Sequence, residues 1–290
     1  MNLNPSAWTL AFAQTNRIQL HYVTQGEGEL VILLHGFPEF WYSWRFQIPV
    51  LAKRFKVVVP DLRGYNDSDK PRNGYDIDTL TEDILGLIKS LGYQKAHVVG
   101  HDCGGMIAWN IAHRFPEYLQ SLSLLNAPHP YRLIRDISVS VEQMMRHWHM
   151  FAVHVPGLPE MLIQNNLAQF VKNCFQSQAV RKAAFSADVL QVYQAALAKK
   201  GAIAASLSHY RQLINPQSLI SRLTAKSIDV PTLVLWGEDD SLVSPKLVRS
   251  LEGWVTEPLR VKAVPECGHW IQQEVPRLVN AELLNFLETV

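Results

Sequence analysis

The sequence predicts an α/β protein in which a mostly parallel, doubly wound sheet carries an inserted helical lid. Three observations support this. Short apolar, β-branched runs alternate with longer helix-period patterns through the first half of the chain, and the same alternation returns at its end. From about Pro128 to Gln217 the strand pattern vanishes and helical text rich in His, Gln, Ala and Met replaces it. Several of the strand-like runs end directly in glycine-bearing turns, as open α/β sheets do at the ends that bind ligands.

In chain order, Trp8 to Ala13 and Ile18 to Thr24 read as an opening hairpin. Leu30 to Leu34, Val57 to Val59, His97 to Val99 and Leu122 to Leu125 read as buried strands, with helices over Thr79 to Leu91 and Gly104 to His113. Parallel strands need right-handed crossovers, so helices must cover both faces. EQMMRHWHMF, EMLIQNNLAQFVKNCF and DVLQVYQAALAKK supply the helical text of the lid. Pro231 to Trp236 and Val261 to Val264 resume the sheet, and Leu278 to Leu287 closes it as a helix. The core is therefore expected over 1–127 and 218–290 and the lid over 128–217, above the carboxyl ends of the strands.

With 290 residues, 48% hydrophobic and 18% charged, the chain can bury a large core and is neither disordered nor of low complexity. A formal net charge of +1 and the lack of any Lys/Arg cluster argue against nucleic acid and anionic membranes as partners. No apolar run is long enough to cross a bilayer, and the first residues lack the pattern of a secretory signal. Three scattered cysteines, Cys103, Cys174 and Cys267, make neither a disulfide framework nor a metal site. The expectation is a cytoplasmic protein acting on a small, neutral partner. The oligomeric state stays open.

Gly100-His101-Asp102-Cys103-Gly104-Gly105 leaves a strand and enters a helix with small residues two before and two after Asp102, the spacing of a nucleophile elbow. A glycine-rich phosphate loop is the blander reading, but an acidic side chain at the helix start would repel phosphate. Serine hydrolases carry Ser at the centre of the elbow. An aspartate there is ionised at neutral pH without help from a base and suits displacement at an electrophilic saturated carbon. The product of that attack is an ester whose carbonyl belongs to the protein, and water must then cleave it. Centring the motif on Cys103 instead would put His101 where the first glycine belongs.

Ester cleavage needs a base and an oxyanion hole. In this kind of fold the chain order is nucleophile, acid, histidine. Trp236-Gly237-Glu238-Asp239-Asp240 follows one late strand and Glu266-Cys267-Gly268-His269-Trp270 the last, so His269 is the expected base, oriented by an adjacent carboxylate. His35-Gly36-Phe37-Pro38 leaves an early strand, and the backbone amides of Phe37 and Cys103 are the candidate oxyanion donors.

Taken together, HGFPEFWYSW, DLRGYNDSD, GHDCGG, WGEDD and CGHW resemble the epoxide hydrolases of the α/β-hydrolase fold. The resemblance covers most of the core. It implies Asp102 as nucleophile, His269 as base and Asp240 as the acid, with Asp239 the minor alternative; some relatives place the acid after the preceding strand, where this chain has Asn126. It also implies two lid donors to the epoxide oxygen. One corresponds to Tyr210. At the second, the usual tyrosine is replaced by His149, in a Trp148-His149 pair similar to a smaller subgroup that uses a His/Tyr pair. An imidazole N–H can donate as a phenol does. His35, Pro38, Trp148 and Trp270, beside these motifs, are the expected substrate contacts. No cofactor is implied, and no metal: His147, His149 and His154 lack an acidic or Cys partner, and residues two apart on a helix do not face each other.

The expected reaction is hydrolysis of a small, neutral, hydrophobic epoxide to a vicinal diol. A haloalkane or haloacetate dehalogenase with the same triad is the alternative. Against it, Cys103 and Phe37 stand where haloalkane dehalogenases place a Trp and an Asn, and Cys103 and Met106 where fluoroacetate dehalogenases place arginines. A catalytically silent binding protein would be expected to lack at least one of Asp102, Asp240 and His269.

Overall fold

The computed structural model describes residues 8–130, 132–133, 153–155, 157–213, 227–248 and 251–290. One sheet contains β1 (Thr9–Thr15), β2 (Ile18–Gln25), β3 (Leu30–Leu34), β4 (Lys56–Pro60), β5 (Ala96–His101), β6 (Leu119–Leu125), β7 (Thr232–Gly237) and β8 (Leu259–Val264). Their order is β1-β2-β4-β3-β5-β6-β7-β8. The hairpin β1/β2 and the pair β2/β4 are antiparallel, and every pairing from β4 through β8 is parallel. This is the mostly parallel, doubly wound sheet that the alternating pattern predicts, in the α/β-hydrolase arrangement that the resemblance implies.

The helices are α1 (Ile48–Leu51), α2 (Ile77–Ser90), α3 (Asp102–Arg114), α4 (Leu158–Asn165), α5 (Leu167–Cys174), α6 (Ala187–Leu197), α7 (Ala202–Leu213), α8 (Ile271–Glu274) and α9 (Pro276–Leu287). Alternate residues of the central strands serve opposite faces. Ile32, Val58, Val98 and Leu122 pack against Ile84 and Ile88 of α2 and Ile107 and Trp109 of α3. Val31, Leu33, Val57, Val99 and Leu125 pack against α1 and against Val279, Leu283 and Phe286 of α9. Period-two alternation in buried strands thus feeds two cores, which is why both residue sets are apolar.

The strands run longer than their apolar cores suggest. β5 extends through Gly100 and His101, since the imidazole of His101 is buried among polar partners and continues the ladder to Leu125. The opening hairpin turns on Asn16 and Arg17, both at positive φ (42° and 64°), where the Asn16 amide is anchored by Asp83 of α2 at 2.9 Å. Arg63 of the DLRGY loop reaches the same Asp83 with two bonds of 2.7 Å, fixing that loop to α2.

β6 and β7 are neighbours in the sheet, yet the described residues between them form α4 to α7 and no strand. The segment EMLIQNNLAQFVKNCF divides at Asn166, whose φ of −142° ends one helix and starts the next. Phe175, Phe185 and Tyr193 of this insertion form a third apolar cluster with Phe40 and Trp270 of the core. The stretch EQMMRHWHMF lies outside the described residues. No helix among the described residues is long and apolar enough to cross a membrane.

Candidate active site

Strand order reverses at β3, which has β4 on one side and β5 on the other. The chain leaving β3 and the chain leaving β5 therefore diverge, opening a crevice at their carboxyl ends. His35 to Pro38 and Asp102 occupy those two ends. Asp102 sits at φ +48°, a left-handed conformation costly for a residue with a Cβ. Glycine is needed around it because a Cβ on Gly100 would stand 2.6 Å from the Gly105 Cα, and one on Gly105 would overlap the Ala127 side chain.

The strained turn aims the carboxylate back across the crevice. Phe37 N–H donates to Asp102 Oδ2 at 2.9 Å. His269 Nε2 lies 3.8 Å from the other oxygen, Oδ1. On the far side of the ring, His269 Nδ1 is 2.9 Å from Asp240 Oδ2. Asp240 is itself held by the Leu242 and Val243 amides on Oδ1, at 2.8 and 2.9 Å, and by the Asn126 side-chain amide on Oδ2 at 2.7 Å. Asn126, at the position where some relatives carry the acid, thus acts as a donor to it, with its own oxygen accepting from Gly237 N–H. Asp239 makes a backbone bond to Cys267 O and its exposed side chain stands outside this series.

Burial alone would lower the His269 pKa. The Asp240 carboxylate, with Asp102 and Glu39 behind it, overcomes that and raises it to about 9. Asp240 moves the opposite way: burial pushes its pKa up, but His269 and the hydrogen bonds from the Asn126 side chain and the Val243 amide pull it below the ordinary value. Burial raises the Cys103 thiol well above its usual range, and the neighbouring Asp102 adds to this, so the thiol stays protonated and unsuited to attack. Cys103 occupies the first turn of α3 beside the carboxylate.

Tyr210, on α7, packs its ring 4.9 Å from that of Phe37. Burial, then the proximity of Cys103 and Asp102, raises its phenol well above 10, so it is a proton donor at any ordinary pH. Pro38 follows a cis peptide bond and borders a small cavity with Phe40, Tyr65 and the insertion's Leu197 and Ala202. Trp270 is 1% exposed, wedged between His269 and Phe175. His149 and Trp148 lie outside the described residues. For His35 the expectation of substrate contact is corrected. The ring is fully buried, with Nδ1 on Gly36 O at 2.9 Å and Nε2 accepting from Leu62 N–H at 3.0 Å, so it braces the turn that carries Phe37.

The residue reading overlooked a polar layer beneath the triad. Glu39, fully buried, meets His101 Nδ1 at 2.7 Å and accepts from Gly36 N–H and from the side chains of Gln272 and Gln273. His101 Nε2 in turn donates to the His269 carbonyl at 2.9 Å. Burial would raise the Glu39 pKa, but His101 and the Gly36 amide bring it below normal. These residues stand inside HGFPEF, GHD and IQQE, but a single Glu or Gln gives no sign of burial. Their pairing spans the chain from residue 39 to 273 and is visible only in the fold.

The family model for the α/β hydrolase fold matches residues 29–276. The chain is 35% identical over 279 residues to human "Epoxide hydrolase 4", covering 93% of this chain and 76% of that protein. It is 36% identical to the "AB hydrolase superfamily protein YfhM" of Bacillus subtilis, covering 96% and 97% of the two chains. Among solved structures, a variant of an epoxide hydrolase from Bacillus megaterium, complexed with its product (R)-3-[1]naphthyloxy-propane-1,2-diol, superimposes with a TM-score of 0.88 at 33% identity, covering 96% of this chain and 100% of that one.

Proposed function

The chain belongs to the epoxide hydrolase family of the α/β-hydrolase fold, and from that premise we propose that it opens a small, neutral, hydrophobic epoxide to a vicinal diol through an ester on Asp102. The observation that carries this reading is the series of a carboxylate nucleophile, a histidine and a second carboxylate, Asp102, His269 and Asp240, with spacings of 3.8 and 2.9 Å.

Asp102 Oδ1 attacks one oxirane carbon, the C–O bond breaks, and its electron pair stays on the epoxide oxygen. That oxygen takes the proton of Tyr210, with His149 as the second donor, and the phenolate left behind regains a proton, through solvent, from the His269 imidazolium, so the ring is neutral when hydrolysis begins. The helical insertion acts as the lid that brings Tyr210 over the elbow. In the second step water attacks the ester carbonyl, giving its proton to His269. The developing oxyanion on Oδ2 is met by the Phe37 N–H and by the Cys103 N–H, and its collapse expels the diol and restores the carboxylate.

The two steps ask different things of His269. With its pKa at about 9, the ring is protonated in the resting protein at pH 7 and stabilises the Asp102 carboxylate. Esterification removes the Asp102 charge and with it one of the interactions that raise this pKa, so the ring becomes a better base when base catalysis is needed. Phe37, partly exposed and packed near Tyr210, gives an apolar wall that suits an aryl or alkyl epoxide.

The test is intact mass of His269→Gln after exposure to epoxides, haloalkanes and haloacetates, since loss of the base strands the ester. An adduct equal to the whole epoxide supports the reading. An adduct lacking the elements of hydrogen halide replaces it with dehalogenation, and no adduct with any compound overturns the covalent mechanism.

A further inference from the structure

A buried carboxylate that never reaches the reacting atoms grips the backbone on both sides of the proposed base. Glu274, the last residue of α8, is 6% exposed. Its Oε1 accepts the Trp270 N–H at 3.2 Å, and its Oε2 accepts the Gly268 N–H at 3.3 Å. Those are the residues immediately before and after His269. The same Oε2 accepts a third N–H, from Arg181 of the helical insertion, at 2.8 Å.

Gly268 and Trp270 present buried N–H donors before and at the N-terminal end of α8, where a helix offers no acceptor of its own, and a buried donor left unpaired is costly. A carboxylate offers two oxygens with several acceptor directions and makes charge-assisted bonds, so one side chain can serve all three. Packing leaves little alternative. A Cβ on Gly268 would lie 2.9 Å from Glu274 Oε1, 3.3 Å from the Val180 nitrogen and 3.4 Å from the Gln178 carbonyl, so the insertion's backbone lies directly on the histidine loop. The loop enters through Glu266 at φ +51°, where Arg181 Nε donates to the Glu266 carbonyl at 3.0 Å, and the carbonyl of His269 is held by His101.

We infer that Glu274 is a positioning residue: it sets the His269 ring for ester hydrolysis and, through the Arg181 amide, ties that setting to the docking of the insertion that carries Tyr210. The inference rests on His269 being the base. Glu274 completes its three bonds only when the insertion is seated, so the proton donor of the first step and the base of the second come into register together. A displacement of about 1 Å at a catalytic group can cost roughly a hundredfold in rate.

The experiment compares Glu274→Gln, nearly isosteric, with the parent and with Arg181→Ala, which keeps the amide at 181. In Glu274→Gln the new NH2 group must face at least one N–H. Single-turnover kinetics with phenyl glycidyl ether should show ester hydrolysis slowed about 10- to 100-fold and ester formation changed less than about threefold, with ester visible by intact mass. The low-field NMR resonance of the His269 Nδ1 proton, which needs no substrate, should shift or broaden. Arg181→Ala removes only the Nε bond to the Glu266 carbonyl and leaves the three bonds of Glu274 in place, so its loss in both readouts should be smaller than that of Glu274→Gln. A Glu274→Gln protein with the parent's hydrolysis rate and Nδ1 resonance overturns the inference. So does an equal loss in both steps with the resonance unchanged, the mark of a merely structural role. The His269→Gln protein run alongside separates the two ideas. If it traps ester while Glu274→Gln matches the parent, the positioning role fails and the reaction stands. If it traps none while Glu274→Gln shifts or broadens the Nδ1 resonance, Glu274 still sets the ring, but the ester reaction fails and with it the role in hydrolysis.

Discussion

Replacing Asp240 by Asn should disable the second chemical step through the tautomer of His269. The Leu242 and Val243 amides both donate to Asp240 Oδ1, so the oxygen of an Asn would take that place and its NH2 would point where Oδ2 now receives His269 Nδ1. The imidazole would then have to accept on Nδ1 and carry its proton on Nε2, the atom facing Asp102, leaving no lone pair for water. Two NH2 groups would also meet, because the Asn126 amide donates to the same oxygen at 2.7 Å. In the native protein the carboxylates raise the His269 pKa from 6.5 to about 9 against burial. At 1.36 kcal/mol per unit that corresponds to roughly 3 kcal/mol of net preference for the imidazolium, with Asp240 the first of the groups that favour it. We therefore expect ester hydrolysis to fall roughly 10³- to 10⁴-fold, as for triads that lose their acid, and ester to accumulate on Asp102. Single-turnover kinetics give the rate, and NMR titration of the ring gives the pKa, which should drop sharply. Restoring a carboxylate with Asn126→Asp in the same protein should recover part of the rate. A hydrolysis rate within tenfold of the parent together with a His269 pKa still near 9 would refute this reasoning.

Asp102→Asn should abolish turnover while leaving the fold intact, and normal steady-state rates from freshly purified protein would rule out the nucleophile role. Tyr210→Phe should slow ester formation by roughly 10²-fold or more and leave hydrolysis of preformed ester nearly unchanged, read by stopped-flow and quench kinetics. Because the His269 pKa is higher in the folded protein than its ordinary 6.5, its interactions stabilise fully below pH 6.5 and are lost as pH rises through about 9. The stability advantage of the parent over His269→Gln should shrink across that window in urea titrations, and a difference independent of pH would contradict the assigned shift.

The proposed nucleophile, base and oxyanion turn were legible because each is a local pattern at the end of a strand, whereas Asp240 came from the resemblance, with Asp239 beside it. A carboxylate between glycines spaced in this way favours an elbow over a phosphate loop, since it would repel a phosphate and, already charged, would need no activating base. Glu274 and the Glu39–His101 pair were not legible in this way. Their roles depend on which oxygens face which amides, a matter of packing rather than spacing. His35 shows the converse: its place in the HGFP turn suggested the substrate, but the Leu62 N–H comes from another loop and takes its free nitrogen.

Chemistry written in consecutive residues, with their strand and helix periodicities, was therefore determined by the sequence: the α/β architecture, the order of the motifs, and a carboxylate in the elbow. Burial and convergence were decided by the tertiary structure. Only after folding do residues 167 apart, Asp102 and His269, or 29 apart, Asp240 and His269, stand in fixed relation to one site. Folding also selects Asp240 over Asp239, because only Asp240 is buried with the Leu242 and Val243 amides on one oxygen, leaving the other for the histidine. Hydrogen bonds and desolvation act through space, and chain order places no limit on which distant groups they join.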